Sequence, residues 1–329
     1  MKILCIGDPH IKKNNIPRST EMVNASIRMV EEHKPDILVI MGDTLDTFEN
    51  VNTTAQCLAV DLVIRASKLV PVYLLIGNHD YPNPLVFMDG PHPFTALHHV
   101  PNVTVVDKVV TSKFGDHQLT FLPYVATGRF IEACDTSPGW KDSHIIFAHQ
   151  EFKGCKMGAI TSENGDQWSS DYPPVISGHI HDHQRPQTNI LYVGCPVQHA
   201  FGDNSLKTVS MITLEDSGQY SEERLSLRVK KLVLIKIEAN KLNTIEVQDT
   251  DIVKVVVMGT IHQNNAAKKL NIVSDLRRRG HKVVFKDYKE KVDFKTLGES
   301  NDNPVYGNLL YERIKQRDDL KELYQKMFA

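Results

Sequence analysis

The stretch KILCIGDPH, Lys2 to His10, runs an apolar segment directly into a carboxylate and an imidazole separated by one residue. Lys2 to Gly7 reads as a short strand whose apolar residues are continuous rather than alternating, the pattern of a strand covered on both faces. Ending such a strand in Asp8 and His10 puts two side chains where burial is costly unless they find partners. A single Asp-x-His decides nothing, so the partners must come from the rest of the chain.

Residues 19–33 carry Met22, Ser26, Met29, Val30 and His33 on one helical face, and DILVIMGD (36–43) is a second strand. Residues 53–69 read as a helix and VYLLIGNHD (72–80) as a third strand. Strands and helices in alternation, with fully apolar strands, predict an α/β fold in which ligands gather at the carboxyl ends of the strands. Residues 81–101 are rich in Pro and His and leave little room for regular structure; no role is assigned to His98 and His99 there. Strands then dominate: 102–107, 117–124, 144–150, 174–181, 189–196, and 207–214 with 220–229 about the turn Asp216-Ser217-Gly218.

A domain boundary is placed near Lys230, so that 1–229 form the main domain. Residues 230–290 read as a small α+β unit, with strands at 233–239, 254–259 and 282–286. Its helix is predicted over 264–279, Leu270, Val273 and Leu276 facing inward and Gly280 stopping it. Residues 291–329 form a linker and C-terminal helix: a polar link at 287–303 leads to a helix that starts at Asn303-Pro304 and bears an apolar stripe of Leu320, Leu323, Tyr324 and Met327.

The chain has 329 residues, 41% hydrophobic and 24% charged, with net charge −2. That balance supplies no general field toward nucleic acid or anionic lipid, so a DNA substrate would rely on a local groove or a partner. Five cysteines without a C-x-x-C pair argue against a disulfide framework or structural zinc, and point to a reducing, cytoplasmic setting. The first apolar run is too short for a signal peptide, and none approaches the ~20 residues of a membrane span.

Reading only strand ends gives Asp8 and His10, Asp43, then Asn78, His79 and Asp80, then His149, then His179 and His181, with Gly before four of the five clusters. Two carboxylates, four imidazoles and an amide oxygen are the donor set of a two-metal site. Asp43 is the natural bridge, because a carboxylate offers two oxygens. Asp8, His10, Asp43 and His181 suit one ion; Asp43, Asn78, His149 and His179 suit the other. Two ions ~3.5–4 Å apart clamp a phosphoryl group and generate hydroxide at neutral pH. His79 is left to protonate the leaving oxygen, with Asp80 orienting its ring or raising its basicity.

These motifs, D-x-H, G-D-x-x-D, G-N-H-D, a lone H and G-H-x-H, resemble those of the calcineurin-like metallophosphoesterases in content and order over roughly residues 1–200. The resemblance implies a two-layered β-sandwich flanked by helices. VGCPVQHAFGD (193–203) and the unit at 230–290 further resemble a segment and the capping domain of SbcD-type nucleases. That implies a manganese-dependent exo- and endonuclease acting on DNA ends, a homodimer, and an SbcC-type coiled-coil ATPase as partner; the C-terminal stripe suits docking on that ATPase, the favoured reading, or packing on the chain's own cap domain. Magnesium, iron or zinc also suit the donors. Where archaeal and eukaryotic members carry a second His after the bridging Asp, this chain has Asp46, as bacterial and phage members often do. No long basic tail is expected; Lys12 and Lys13 are the candidate DNA contacts.

Protein phosphatases of the superfamily typically read G-D-x-x-D-R-G and G-N-H-E, whereas this chain reads GDTLDTF and GNHD. A small-nucleotide phosphodiesterase is opposed by the extra domain, which a small substrate does not need. An inactive scaffold is opposed by the complete set of ligands with His79.

Overall fold

The computed structural model describes residues 1–288 apart from Thr47 and Glu49, together with Arg317 and Leu320. Along the chain run β1 (Lys2–Ile6), α1 (Ile16–His33), β2 (Ile37–Ile40), α2 (Thr53–Ser67), β3 (Val72–Leu75), β4 (Val103–Val106), β5 (Val110–Phe114) and β6 (His117–Phe121). They are followed by α3 (Phe130–Cys134), β7 (Ile145–Ala148), a hairpin of β8 (Lys156–Met157) and β9 (Ile160–Thr161), β10 (Val175–Ser177), β11 (Gln184–Gln187) and β12 (Ile190–Tyr192). The hairpin β13 (Val209–Leu214) and β14 (Tyr220–Leu225) closes the main body.

Two six-stranded sheets result, ordered β14-β13-β1-β2-β3-β4 and β11-β12-β10-β7-β6-β5. Alternation along each strand sorts its side chains. Ile3 and Cys5 of β1 join Val39, Tyr73, Phe121, Phe147 and Ile176 in the layer between the sheets. Leu4 and Ile6 face the other way, into a layer with Met22, Val30, Leu62 and Val63 of α1 and α2. The outer face of the second sheet is covered by Phe130, Trp140 and Trp168. Both faces of β1 are therefore buried, which is why its apolar run is unbroken. The chain thus forms a β-sandwich flanked by helices.

The strands stop before the polar clusters. β3 ends at Leu75, and Gly42, just beyond β2, has φ +98°, outside strand geometry. β1 to β4 run parallel, and only β13, on the other side of β1, is antiparallel to them, so the carboxyl ends of β1, β2 and β3 open on the same edge.

β15 (Leu232–Glu238), β16 (Ile252–Gly259) and β17 (Lys282–Asp287) form a separate parallel sheet with its own apolar cluster, including Leu242, Val255, Val257 and Leu276. The helix predicted over 264–279 is two helices, α4 (Ile261–Ala267) and α5 (Asn271–Arg278), with Leu270 extended at ψ 140° between them. Asn264 and Val273 are both buried in this unit. Nine residues apart at ~100° per residue, they would lie on opposite sides of one straight helix. The break lets both face inward; Gly280, at φ +87°, does stop α5.

Gln198 ties the small unit to the main body, accepting from Leu232 N at 2.8 Å and donating to its carbonyl at 3.0 Å. The Phe201 ring lies beneath Lys254 and Lys282 at 5.7 and 5.6 Å. Among the described residues no helix is long and apolar enough to cross a membrane. Leu323, Tyr324 and Met327 of the C-terminal stripe lie outside the described residues, and Leu320 is its only described member.

Candidate metal centre

Each loop that leaves a strand is braced by its neighbour. His10 N–H donates to the Asp43 carbonyl and Ile11 N–H to that of Thr44, both at 2.9 Å. Asp43 Oδ1 accepts His79 N–H at 2.8 Å, and Asp8 Oδ1 accepts His179 N–H at 2.8 Å. These bonds aim the second oxygen of each carboxylate into one space. Asp8, His10, Asp43 and His179 all have positive φ, at 30°, 43°, 48° and 77°, a region non-glycine residues seldom enter. Close approach also requires Gly77, where a Cβ would meet the amide and carboxylate of Asp43.

The seven predicted ligands converge. Asp43 Oδ2 lies 3.3 Å from His149 Nε2 and 3.6 Å from His10 Nε2. His10 Nε2 faces His181 Nε2 at 3.0 Å. Asn78 Oδ1 lies 3.1 Å from His149 Nε2 and 2.9 Å from His179 Nδ1. Asp8, His10, Asp43 and His149 are buried, whereas His181 is exposed and opens the centre to solvent.

Tautomers follow from the outer contacts. His149 Nδ1–H donates to the Met41 carbonyl at 2.7 Å, which turns Nε2 toward Asp43 and Asn78. His10 Nδ1 lies 3.1 Å from Asp46 Oδ1, which turns its Nε2 toward His181. Lys12 Nζ holds the other Asp46 oxygen at 2.7 Å.

The centre is short of positive charge. Burial alone would depress His149, yet the charges of Asp43 and Asp8 lift it to about 9. Burial would likewise raise Asp43, but His149, His10 and His79 hold it well below the carboxylate range. Asp8 Oδ2 is buried with no hydrogen-bond partner among the described residues. Facing imidazole nitrogens, a bridging carboxylate and an orphaned buried oxygen fit two divalent cations. Asp8, His10, Asp43 and His181 would hold one, and Asp43, Asn78, His149 and His179 the other.

His79 stands at the rim, its Nε2 4.0 Å from Asp43 Oδ2 and its Nδ1 3.9 Å from Asp46 Oδ1, its ring stacked on Phe48 at 4.5 Å. Asp80 does not orient it. The Asp80 carboxylate turns inward and accepts from the backbone N–H groups of Thr44, Leu45 and Gly77 at 3.2, 3.0 and 3.0 Å. It braces the Asp43 loop against the Asn78 loop; the carboxylates beside the His79 ring are Asp43 and Asp46. Lys12 is paired to Asp46, and Lys13 is exposed.

Two contributors were not identified as site residues from sequence. Asp46 stood in the G-D-x-x-D motif without a role. His199 donates from Nε2 to the Asp8 carbonyl at 3.0 Å, its ring 5.0 Å from that of His10 and 5.3 Å from that of His181. Its position beside Gly194 and Pro196 was the available signal.

The model of the family "Calcineurin-like phosphoesterase" matches residues 1–183, more than half of the chain. The chain belongs to the calcineurin-like phosphoesterases. It is therefore a metal-dependent hydrolase of phosphoester bonds, from a family that uses divalent metals. Two viral proteins that carry phosphoesterase names are similar to this phosphoesterase over most of its length. Protein 078R of Invertebrate iridescent virus 3 is 33% identical, over 97% of this chain and 93% of its own. Protein 244L of Invertebrate iridescent virus 6 is 38% identical, over 83% of this chain and 99% of its own. Among solved structures, a purple acid phosphatase from yellow lupin (Lupinus luteus) is 16% identical at a TM-score of 0.40, over 56% of this chain and 38% of that one.

Proposed function

We propose that this phosphoesterase is a two-metal DNA nuclease of the SbcD type, hydrolysing phosphodiester bonds at DNA ends. The observation that carries the reading is that depressions flank the metal centre on two sides. One, of about 650 Å³, is lined by Lys12, Lys13, Asn14, Asp46 and Asn50 to Asn52. The other, of about 280 Å³, lies between the β8–β9 hairpin and His179 to Asp182. A chain of nucleotides would be in contact before and after the scissile phosphate, whereas a lone phosphate would touch only the His179 and His181 edge of the second trough.

The cations would supply Lewis acidity toward the phosphoryl oxygens and make a water acidic enough to attack at neutral pH. The chain's own groups do the rest. Asp8, Asp43 and the imidazoles set the ion positions, and the backbone N–H bonds to both carboxylates keep them from swinging away. His79, at the rim with Nε2 4.0 Å from Asp43 Oδ2, is placed to protonate the leaving oxygen. Manganese is the proposed ion, since mixed imidazole and carboxylate donors accept it. An SbcC-type ATPase bound through the C-terminal stripe, a homodimer, and a virus-infected host cell as the setting complete the reading. Deleting residues 304–329 is expected to abolish ATPase binding and leave cleavage intact.

A second reading, hydrolysis of small nucleotide phosphodiesters, is favoured by one observation. Lys12 is committed to Asp46 at 2.7 Å, which leaves Lys13 as the free cation of that trough's two lysines. Cleavage of an end-labelled linear duplex in manganese, beside a His79→Asn variant, separates the two. Loss of label by the wild type alone supports the nuclease. Intact DNA alongside hydrolysis of small diesters overturns it in favour of the second reading.

A further inference from the structure

The loop that follows His79 carries a second cluster sharing no residue with the metal centre. Asp107, just past β4, lies with Oδ2 at 3.3 Å from His92 Nε2 and 2.7 Å from His98 Nε2. The donor atoms of all three lie within 4.8 Å of one another. The His92 and Asp107 side chains are 1% and 8% exposed, and that of His98 is 37% exposed. Asp107 Oδ1 is buried without a hydrogen-bond partner among the described residues.

The backbone that presents these groups is anchored. Phe94 and Tyr81 are fully buried, and Gln56 of α2 donates to the Pro93 carbonyl at 3.0 Å. Asp89 N–H donates to the Asp107 carbonyl at 2.7 Å. Burial would raise the Asp107 carboxyl, but the hydrogen bonds from His98 and His92 hold it below its ordinary range, so it is ionised.

We infer that His92, His98 and Asp107 form a third cation site, taking one zinc-class ion that pins the 81–101 loop to the end of β4. Two imidazoles and a carboxylate suit a borderline divalent ion, with the exposed side at His98 left for water. Ligand atoms ~2.0–2.2 Å from a tetrahedral ion stand about 3.3–3.5 Å apart. The His92 pair already meets this spacing, and the His98 pair opens by under 1 Å. Proton positions must also change. His92 Nδ1 now accepts Phe94 N–H at 3.2 Å, so the ring proton lies on Nε2 toward Asp107. Binding moves that proton to Nδ1 and gives up the Phe94 contact; His98, which donates from Nε2 in the clasp, must move its proton to Nδ1 as well. Without the ion, the same three groups make a hydrogen-bonded clasp.

The test strips the full chain with a chelator, reloads it with zinc chloride, dialyses it, and counts zinc per chain by mass spectrometry. Wild type, His98→Ala and the neighbouring control His99→Ala are compared; both histidines are exposed, so neither change disturbs packing. The wild type and the control are expected to hold one zinc more than His98→Ala, with phosphodiester hydrolysis unchanged. Counts of three against two leave the catalytic pair intact, and one against zero would fault the pair while still supporting this site. Equal counts in wild type and His98→Ala overturn it and leave the clasp.

Discussion

Asp43 Oδ2 lies 3.3 Å from His149 Nε2, while Oδ1 of the same carboxylate accepts His79 N–H at 2.8 Å. One side chain therefore fixes a ligand on β7's loop and the backbone of the proposed acid. Replacing it, Asp43→Asn, removes the negative charge and leaves a single oxygen donor where the two ions would meet. Turnover should fall at least ~10³-fold, equivalent to about 4 kcal/mol of barrier, and bound metal should fall with it. Steady-state hydrolysis and metal content check this together; lost turnover at full metal content would count against the bridge.

Asp46 acts through His10, its Oδ1 lying 3.1 Å from the ring Nδ1 and so turning Nε2 to the centre. Asp46→Ala should weaken metal binding about 10- to 100-fold, the usual cost of losing such a partner. Lys12→Ala, which removes only the half-exposed pair to Asp46, should change it much less. Calorimetric titration with manganese distinguishes the two.

His199 carries a pH signature. Burial, then the charges of His10 and His181, push it down to about 2, against 6.5 for a free imidazole. The unfolded chain therefore takes up the proton first, and stability is lost as pH falls from 6.5 toward 2. At pH 5 one such group costs about 2 kcal/mol. Urea unfolding of the metal-free protein at pH 7.5 and 5 should show His199→Gln losing less stability than wild type by about that amount. Equal losses would mean that His199 is protonated in the fold.

Asp80 behaves as a brace. Asp80→Ala strands three buried N–H groups and should cost about 3 kcal/mol, lowering the melting temperature by roughly 6–12 °C. His79→Asn, by contrast, should cut turnover ~10²–10⁴-fold with the melting temperature and metal content unchanged. Unaltered melting of Asp80→Ala with lost turnover would return it to the chemistry.

The convergence of these seven residues was legible because each ends an apolar strand, so one-dimensional patterning coincides with three-dimensional proximity. Asp80 was misread because adjacency to His79 in sequence does not tell which way a side chain turns after Gly77. Contacts such as His199 to Asp8 span 191 residues and follow from packing, which local pattern does not encode. The β8–β9 hairpin escaped because two-residue strands have no periodicity to read. The division of the 264–279 helix turned on Asn264, a polar residue buried because its amide reaches the Gly259 and Lys286 carbonyls and Asp287.

The positive φ angles at Asp8, His10, Asp43 and His179 have an evolutionary reading. Each such residue outside favourable backbone space costs of order 1–3 kcal/mol, and glycine would relieve much of it. Selection for folding alone would erase these four side chains in favour of glycine. Their presence marks the positions where this chain has traded robustness for chemistry, and where stabilising variants of the metal-free protein are most readily found, each at the loss of a ligand.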